Sequence, residues 1–254
     1  MIGIDHRYVL QDRDRVLLRF ISEFRVIDRE QAKAAADFGS TTRVNVRLLA
    51  LCRMGLLDRV FVSNSGASRK AIYMLTRKGA AVVGVSYRRF RIFENSLLGV
   101  DLALNHQLHL NASYLKLRKV PHDVSLGNWK GFDAPITPSI HLKPDGYFEY
   151  TTDVTRSAFL EVDMGTETRK TWARKVNEYL RLAVSGEFSR VFHQPHFRTL
   201  VVATTEQRLT NILRVVAQQT DKIFFGTTFD CISSDSFWSA IWLRPGGTER
   251  VSLL

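Results

Sequence analysis

Lys143–Tyr179 reads KPDGYFEYTTDVTRSAFLEVDMGTETRKTWARKVNEY, and its order of strand, turn, strand and helix decides the fold of the second half of the chain. Gly146–Thr151 and Ser157–Asp163 are rich in aromatic and β-branched residues, with a polar segment around Asp153 between them, the composition of paired strands around a turn. A hairpin centred near Val154 sets Asp145 opposite Asp163 and diagonal to Glu161. Side chains alternate along a strand, so Phe159, Glu161 and Asp163 share one face while Leu160 and Val162 turn to the other, toward a core. Three carboxylates are then expected to converge. Like charges at that separation repel unless a cation sits among them, and Mg²⁺ or Mn²⁺ is the usual occupant of an all-oxygen site. Asp145, Glu161 and Asp163 are the candidate ligands.

Gly165-Thr166 leads into a helix over Thr168–Val184, where Trp172, Val176, Leu180 and Ala183 have core spacing and Lys175 and Tyr179 flank the stripe. A lysine in that position has two readings: its ammonium snorkels to solvent, or it offsets charge on a phosphate. After the helix come an apolar strand at Thr199–Thr205, a helix at Glu206–Gln219 with Leu209, Ile212, Leu213 and Val216 inward, and two strand-like stretches, Lys222–Ile232 and Ser239–Leu243. This order predicts a mixed sheet with helices on both faces.

Pro144-Asp145, Glu161-Val162-Asp163 and the following helix with Lys175 and Tyr179 resemble the PD-(D/E)xK nuclease core. More narrowly, "PDG…FLEVDMGTE…KVNEY", together with Asn105-His106-Gln107-Leu108, Asn111 and the stretch around Trp129, resembles the replication-relaxation family of plasmid, phage and integrative-element proteins. The resemblance implies an N-terminal winged helix joined to a restriction-endonuclease-like mixed-sheet domain. It also implies that Asp145 and Glu161 hold Mg²⁺ or Mn²⁺ with the Val162 carbonyl, that Asp163 holds a second ion or acts as base, and that Lys175 stabilises the transition state. One departure stands out. The common nuclease pattern places Lys two residues after the Glu, where this chain has Asp163; Lys175 on the next helix is the available substitute.

The first third of the chain reads differently. Asp12–Phe24 carries Val16, Leu17, Phe20, Ile21 and Phe24 at helical spacing. Asp28 with Gln31 forms a capping-box pattern that opens a second helix, which ends at Gly39. Ser40 or Thr41 caps a third helix with Val44, Leu48, Leu51 and Cys52 inward, and Gly55 ends it. Two extended pieces, Leu57–Val62 and Ala71–Thr76, flank a turn-rich stretch at Ser63–Ser68 followed by Arg69-Lys70, and a short helix follows. Three helices and a basic-tipped ribbon predict a winged helix-turn-helix. In such a fold the third helix enters the major groove and its early exposed residues reach base edges, which selects Thr42, Arg43, Asn45 and Arg47. Arg69 and Lys70 are expected to meet phosphates.

Charge supports the division. Residues 1–92 hold 18 Lys+Arg and 8 Asp+Glu, a balance of +10 out of the chain's net +11, so the basic third is the part suited to a polyanion. The basic stretch Ser86–Arg91 marks the expected boundary, giving a winged helix-turn-helix over residues 1–92 and a nuclease-like domain over 93–254. That second domain is expected to begin with an amphipathic helix over Phe93–Leu117 whose Leu97, Val100, Leu104, Leu108, Ala112 and Leu115 face inward. In the fold that the resemblance implies this helix sometimes adds an acidic residue to the site, for which Glu94 or Asp101 is available, the plainer reading being that both are solvated; His106 has either a polar structural role or, with His109, a metal-binding one.

The two cysteines, Cys52 and Cys231, lie far apart and in no metal-ligand spacing, which disfavours zinc and fits a reducing cytoplasm. No run approaches the roughly 20 apolar residues of a membrane helix. Phosphate-binding loops, dinucleotide fingerprints and nucleophile-elbow serines are missing, so no nucleotide cofactor is expected. Two functional readings stand: a duplex-DNA-binding protein of a mobile element that nicks or cuts DNA with Mg²⁺ or Mn²⁺, or a non-catalytic DNA-binding regulator or replication accessory factor on an inactive nuclease scaffold. A homodimer on palindromic DNA is compatible with either.

Overall fold

A computed structural model describes residues 9–63, 69–92 and 102–254. The predicted wing tip, Leu97 and Val100 of the expected helix, and Glu94 and Asp101 fall outside the described residues. The fold is mixed α and β, in two compact units, Met1–Leu115 and Lys116–Leu254. The first unit thus takes in most of a helix that the sequence reading assigns to the second domain.

The first unit opens with α1 (Asp12–Phe24), β1 (Val26–Asp28), α2 (Arg29–Ala35) and α3 (Thr41–Arg53). β2 (Leu57–Ser63), β3 (Arg69–Leu75) and α4 (Arg77–Val83) follow. Side-chain caps set the helix starts: Asp28 accepts from the Gln31 amide, Ser40 from Arg43 and Thr76 from Gly79, each worth about 1 kcal/mol. Asp28 also closes β1, a strand that the sequence reading did not anticipate. Val26-Ile27-Asp28 pairs antiparallel with Ile72–Met74, making a three-stranded sheet of order β1-β3-β2 with β2 at its edge. Leu17, Leu18, Ile21, Val44, Leu48 and Leu51 are fully buried. Val16 is 47% exposed, so the inner stripe of α1 runs through Leu17 and Leu18 instead.

The helix α5 (Leu102–Leu117) is anchored by buried amides. Asn111 donates to the Val26 carbonyl at 2.7 Å, and the Gln31 side chain donates to the Leu108 carbonyl at 2.7 Å. Leu104, Leu108 and Leu115 are buried as expected, whereas Ala112 is exposed and the buried Asn111 takes its place. The Asn105–Asn111 motif therefore ties helix to sheet. His109 contacts the Asn105 carbonyl one turn back at 2.8 Å.

The second unit is built on a seven-stranded mixed sheet. Its strands are β4 (Ser125–Leu126), β5 (Gly146–Thr151), β6 (Thr155–Asp163), β7 (Phe197–Ala203), β8 (Phe224–Thr228), β9 (Trp242–Leu243) and β10 (Arg250–Val251), in the order β10-β9-β8-β7-β6-β5-β4. β6, β7 and β8 run parallel at its centre, and β5 pairs antiparallel with β6. The helices α6 (Arg169–Val184), α7 (Glu187–Phe192) and α8 (Glu206–Ala217) cover the face that carries Phe159, with Trp172, Val176, Tyr179, Leu209, Ile212 and Val216 in one core. The inner stripe of α6 runs through Tyr179 and Leu182, so Leu180 lies at its margin and Ala183 is exposed. On the opposite face Phe148 and Tyr150 pack against Trp238, with Phe237 and Trp242 alongside. Lys222–Ile232 is only partly a strand. Thr228 caps α9 (Phe229–Ser234), which takes up the end of that stretch.

Gly146 is fixed by a close approach. A Cβ there would lie 2.0 Å from the Trp129 ring, so only glycine admits the indole that lies over the start of β5.

Candidate functional site

The hairpin register corrects one expectation. Gly146 pairs with Leu160 and Thr151 with Thr155, so the turn centres on Asp153 and the ladder carries Asp145 opposite Glu161, not Asp163. A two-residue slip preserves facing. Phe159, Glu161 and Asp163 therefore do share the face under α6 and α8, but the three carboxylates are partitioned between two arrangements.

The first arrangement gathers Asp145, Glu161 and Lys175. Glu161 is 1% exposed. Its Oε2 accepts from Lys175 Nζ at 2.9 Å and its Oε1 from the Tyr179 hydroxyl at 2.5 Å. The Lys175 ammonium also pairs with Glu167 at 2.7 Å and lies 5.1 Å over the Trp172 ring. Asp145 accepts from the Val162 amide at 2.7 Å. Burial, the largest influence, pushes the Glu161 carboxyl up to about 7, and the Lys175 ammonium pulls against it while Asp145 adds to the rise. Burial works to lower Lys175, yet Glu161, Glu167 and Asp145 together hold its ammonium above the usual lysine range. The Tyr179 hydroxyl is raised by burial and then by Glu161, so it remains a donor. Lys175 is thus the cation of this cluster.

The second arrangement isolates Asp163. Both its oxygens are engaged by Arg208, Nε at 2.6 Å and an amino nitrogen at 2.8 Å, in a bidentate pair. Trp172 Nε1 adds a bond at 2.8 Å and the Gly165 amide another at 2.8 Å. Burial would raise this carboxyl, but the Arg208 and Trp172 bonds outweigh it and hold it below the ordinary range. Arg208 sits in the first turn of α8, where the Thr205 cap accepts from its amide, and it also donates to the Glu167 carbonyl at 2.6 Å.

These donors bear on a divalent cation. Glu161 and Asp163 have every carboxylate oxygen occupied, and among the described residues no group of three His, Cys, Asp or Glu could hold a metal ion. The side chains as arranged do not fit Mg²⁺ or Mn²⁺, because Lys175 and Arg208 supply the positive charge. Asp163 in particular is turned away from any shared ligand set. Sequence placed Trp172 only on the core stripe of its helix and did not single out Arg208 or Glu167; Arg208 lies 45 residues from its partner, beyond any local motif.

In the first unit, Thr42, Arg43 and Asn45 are exposed on the first half of α3. Arg47 is not available with them. It is 6% exposed, forms a buried pair with Asp14 in which its Nε donates at 2.6 Å and an amino nitrogen engages the second oxygen, and donates to the Val9 carbonyl at 2.6 Å. Arg47 is a structural residue joining α3 to the start of α1. Arg69 is exposed where β3 begins, and Lys70 pairs with Asp28 at 2.6 Å while 42% exposed. Asn45, Phe61, Arg69 and Lys70 line one groove of about 410 Å³.

The comparisons with known proteins now bear on both sites. The family model for replication-relaxation matches residues 18–193, a span that includes α3, the β2–β3 hairpin and the whole acidic cluster. The chain belongs to the replication-relaxation family. Among curated proteins and solved structures nothing matches it. This replication-relaxation protein carries no helix, among the described residues, long and apolar enough to cross a membrane. The family's name points to a role in replication or relaxation, and Arg208 and the C-terminal strands β7–β10 lie beyond the matched span.

Proposed function

We propose that this replication-relaxation protein binds duplex DNA of a plasmid or other mobile element through a winged helix formed by α1–α4 and the β2–β3 hairpin. In this reading the second unit is a restriction-endonuclease-like domain whose acidic site is held closed by Lys175 and Arg208, so it serves as scaffold or partner surface. The observation that carries the proposal is the exposed row Thr42, Arg43 and Asn45 on α3 beside a groove with Arg69 and Lys70. Asn45 is suited to the adenine edge and Arg43 to guanine, and each bidentate contact discriminates by about 1–3 kcal/mol. Selection from randomised duplexes tests this. Asn45→Ala is expected to erase preference at one base position and leave the others, whereas an unchanged preference would remove α3 from recognition.

A metal-dependent endonuclease is the second reading, favoured by Asp145 lying beside Glu161 with the Lys175 ammonium between carboxylates. It requires Lys175 to leave Glu161 so that Mg²⁺ or Mn²⁺ can enter. Stabilisation of the wild type by Mn²⁺ in a thermal melt would support it; an unchanged midpoint supports the closed site.

A further inference from the structure

The segment 85–92 follows α4 without helix or strand, and its side chains divide by chemistry. Ser86, Arg88, Arg89 and Arg91 are exposed, whereas Val85, Tyr87, Phe90 and Ile92 are half-buried. Phe90 and Ile92 pack on the cluster of Val26, Ile72, Leu104 and Leu108, and the Arg77 guanidinium lies 5.3 Å over the Tyr87 ring. The apolar residues thus pin this strap to the first unit, and its arginines stand outward. A solvated linker would need no such anchoring.

Between the strap and the edge strand β2 lies a cleft of about 550 Å³, walled by Arg59, Tyr87, Arg89 and Arg91, with Asp58 its one carboxylate. Arg89 and Arg91 are exposed, and among the described residues neither forms a hydrogen bond or an ion pair. Arg59 lies 5.0 Å over the Phe61 ring, and Phe61 lines the groove beside α3 with Asn45 and Arg69. Arg59 and Phe61 stand two residues apart on β2, one lining each depression. The groove beside α3 carries Arg29, Arg69 and Lys70 with Asp28 and Glu30, and the cleft carries Arg59, Arg89 and Arg91 with Asp58, so basic residues outnumber carboxylates in both.

We infer that the cleft between β2 and the strap 85–92 is a second DNA-contact surface, in which Arg59, Arg89 and Arg91 bind backbone phosphates of the duplex read by α3. This rests on the DNA-binding reading of the first unit. Guanidinium forks suit phosphate oxygens bidentately, and contacts of this kind position the duplex without specifying sequence. Each phosphate neutralised releases counterions, so affinity falls with salt at a slope of about −0.9 per contact. Loss of two contacts should lower the slope by about 1.8, which over a fourfold rise in salt corresponds to a factor of about 12.

The test is fluorescence anisotropy of the full chain on labelled duplexes from 50 to 200 mM KCl, where these concentrations are roughly the range over which phosphate contacts are resolved. Wild type, Arg89→Ala/Arg91→Ala and Asn45→Ala are compared, with thermal melts to show that each folds. The double variant is expected to bind every duplex more weakly and to lose about tenfold less affinity than wild type across the titration. Unchanged affinity and slope in the double variant, while Asn45→Ala alters sequence preference, would overturn this inference and leave the α3 reading intact. A wild type that binds no duplex would overturn the α3 reading, and this one with it. A self-association lost in the double variant, with DNA binding intact, would assign the cleft to a second copy of the chain and overturn the inference.

Discussion

Arg208→Ala is expected to destabilise the second unit strongly, and in a pH-dependent way. The change leaves Asp163 buried with two neutral donors, Trp172 Nε1 and the Gly165 amide, and removes both guanidinium bonds together with the bond to the Glu167 carbonyl. Removing one partner of a buried pair costs about 3–5 kcal/mol. Arg208 is itself 21% exposed, so water reaches the gap and about 2–4 kcal/mol is the better figure. That corresponds to a fall of roughly 5–15 °C in the melting midpoint for a chain of this size. The sign with pH follows from Asp163. In the wild type its carboxyl is held low, so its contribution is full above the ordinary carboxylate range and is lost as pH falls through the folded value. In the variant burial prevails, the carboxyl rises, and the variant loses stability as pH climbs past the ordinary carboxylate value. The deficit therefore grows between about pH 4 and pH 8. Adding Asp163→Asn should recover part of it. Thermal melts at both pH values read the outcome, and a deficit under about 1 kcal/mol, or one independent of pH, refutes the claim that Arg208 holds a buried carboxylate.

Other substitutions probe the remaining contacts. Tyr179→Phe keeps the ring among Phe159, Phe197 and Phe224 but removes a bond to the Glu161 carboxylate, for an expected loss of about 1.5–3 kcal/mol by chemical denaturation. Gly146→Ala drives a methyl into Trp129 and should cost about 1–3 kcal/mol, with a change in tryptophan emission. Arg47→Ala strands the buried Asp14 carboxylate and should destabilise by about 3–5 kcal/mol, while the protein that remains folded at low temperature retains wild-type base preference. A shifted preference with unchanged stability would return Arg47 to the DNA-contacting set.

Helix starts were legible because capping is local: Asp28, Ser40, Thr76, Thr168 and Thr205 each bond a backbone amide within three residues. The faces of the β5–β6 hairpin were legible too, since period-two alternation survives a slip of two. The register was not, because Thr152-Asp153-Val154 allows more than one turn and the choice is made by packing. Arg47 sits three residues after Val44, on the inner stripe of α3, and was read as exposed because its charge suggested solvent. Asp14, 33 residues away, and the Val9 carbonyl make that burial favourable. Asp163 and Arg208 pose the same difficulty: a carboxylate in a metal-like motif is reassigned by an arginine that reaches it only once β7 lies parallel to β6. Lys175, read from sequence either as snorkelling to solvent or as offsetting phosphate charge, pairs with Glu161 and Glu167.

The most direct measurement incubates supercoiled plasmid with the wild-type protein in Mg²⁺ or Mn²⁺, reading mobility before and after deproteinisation. A closed site on a DNA-binding protein predicts a plasmid that is shifted by the protein and returns intact after its removal, for wild type and Glu161→Ala alike. Relaxed or linear product from the wild type that disappears with Glu161→Ala would contradict it, and would show that Lys175 yields its place to a metal when DNA is bound.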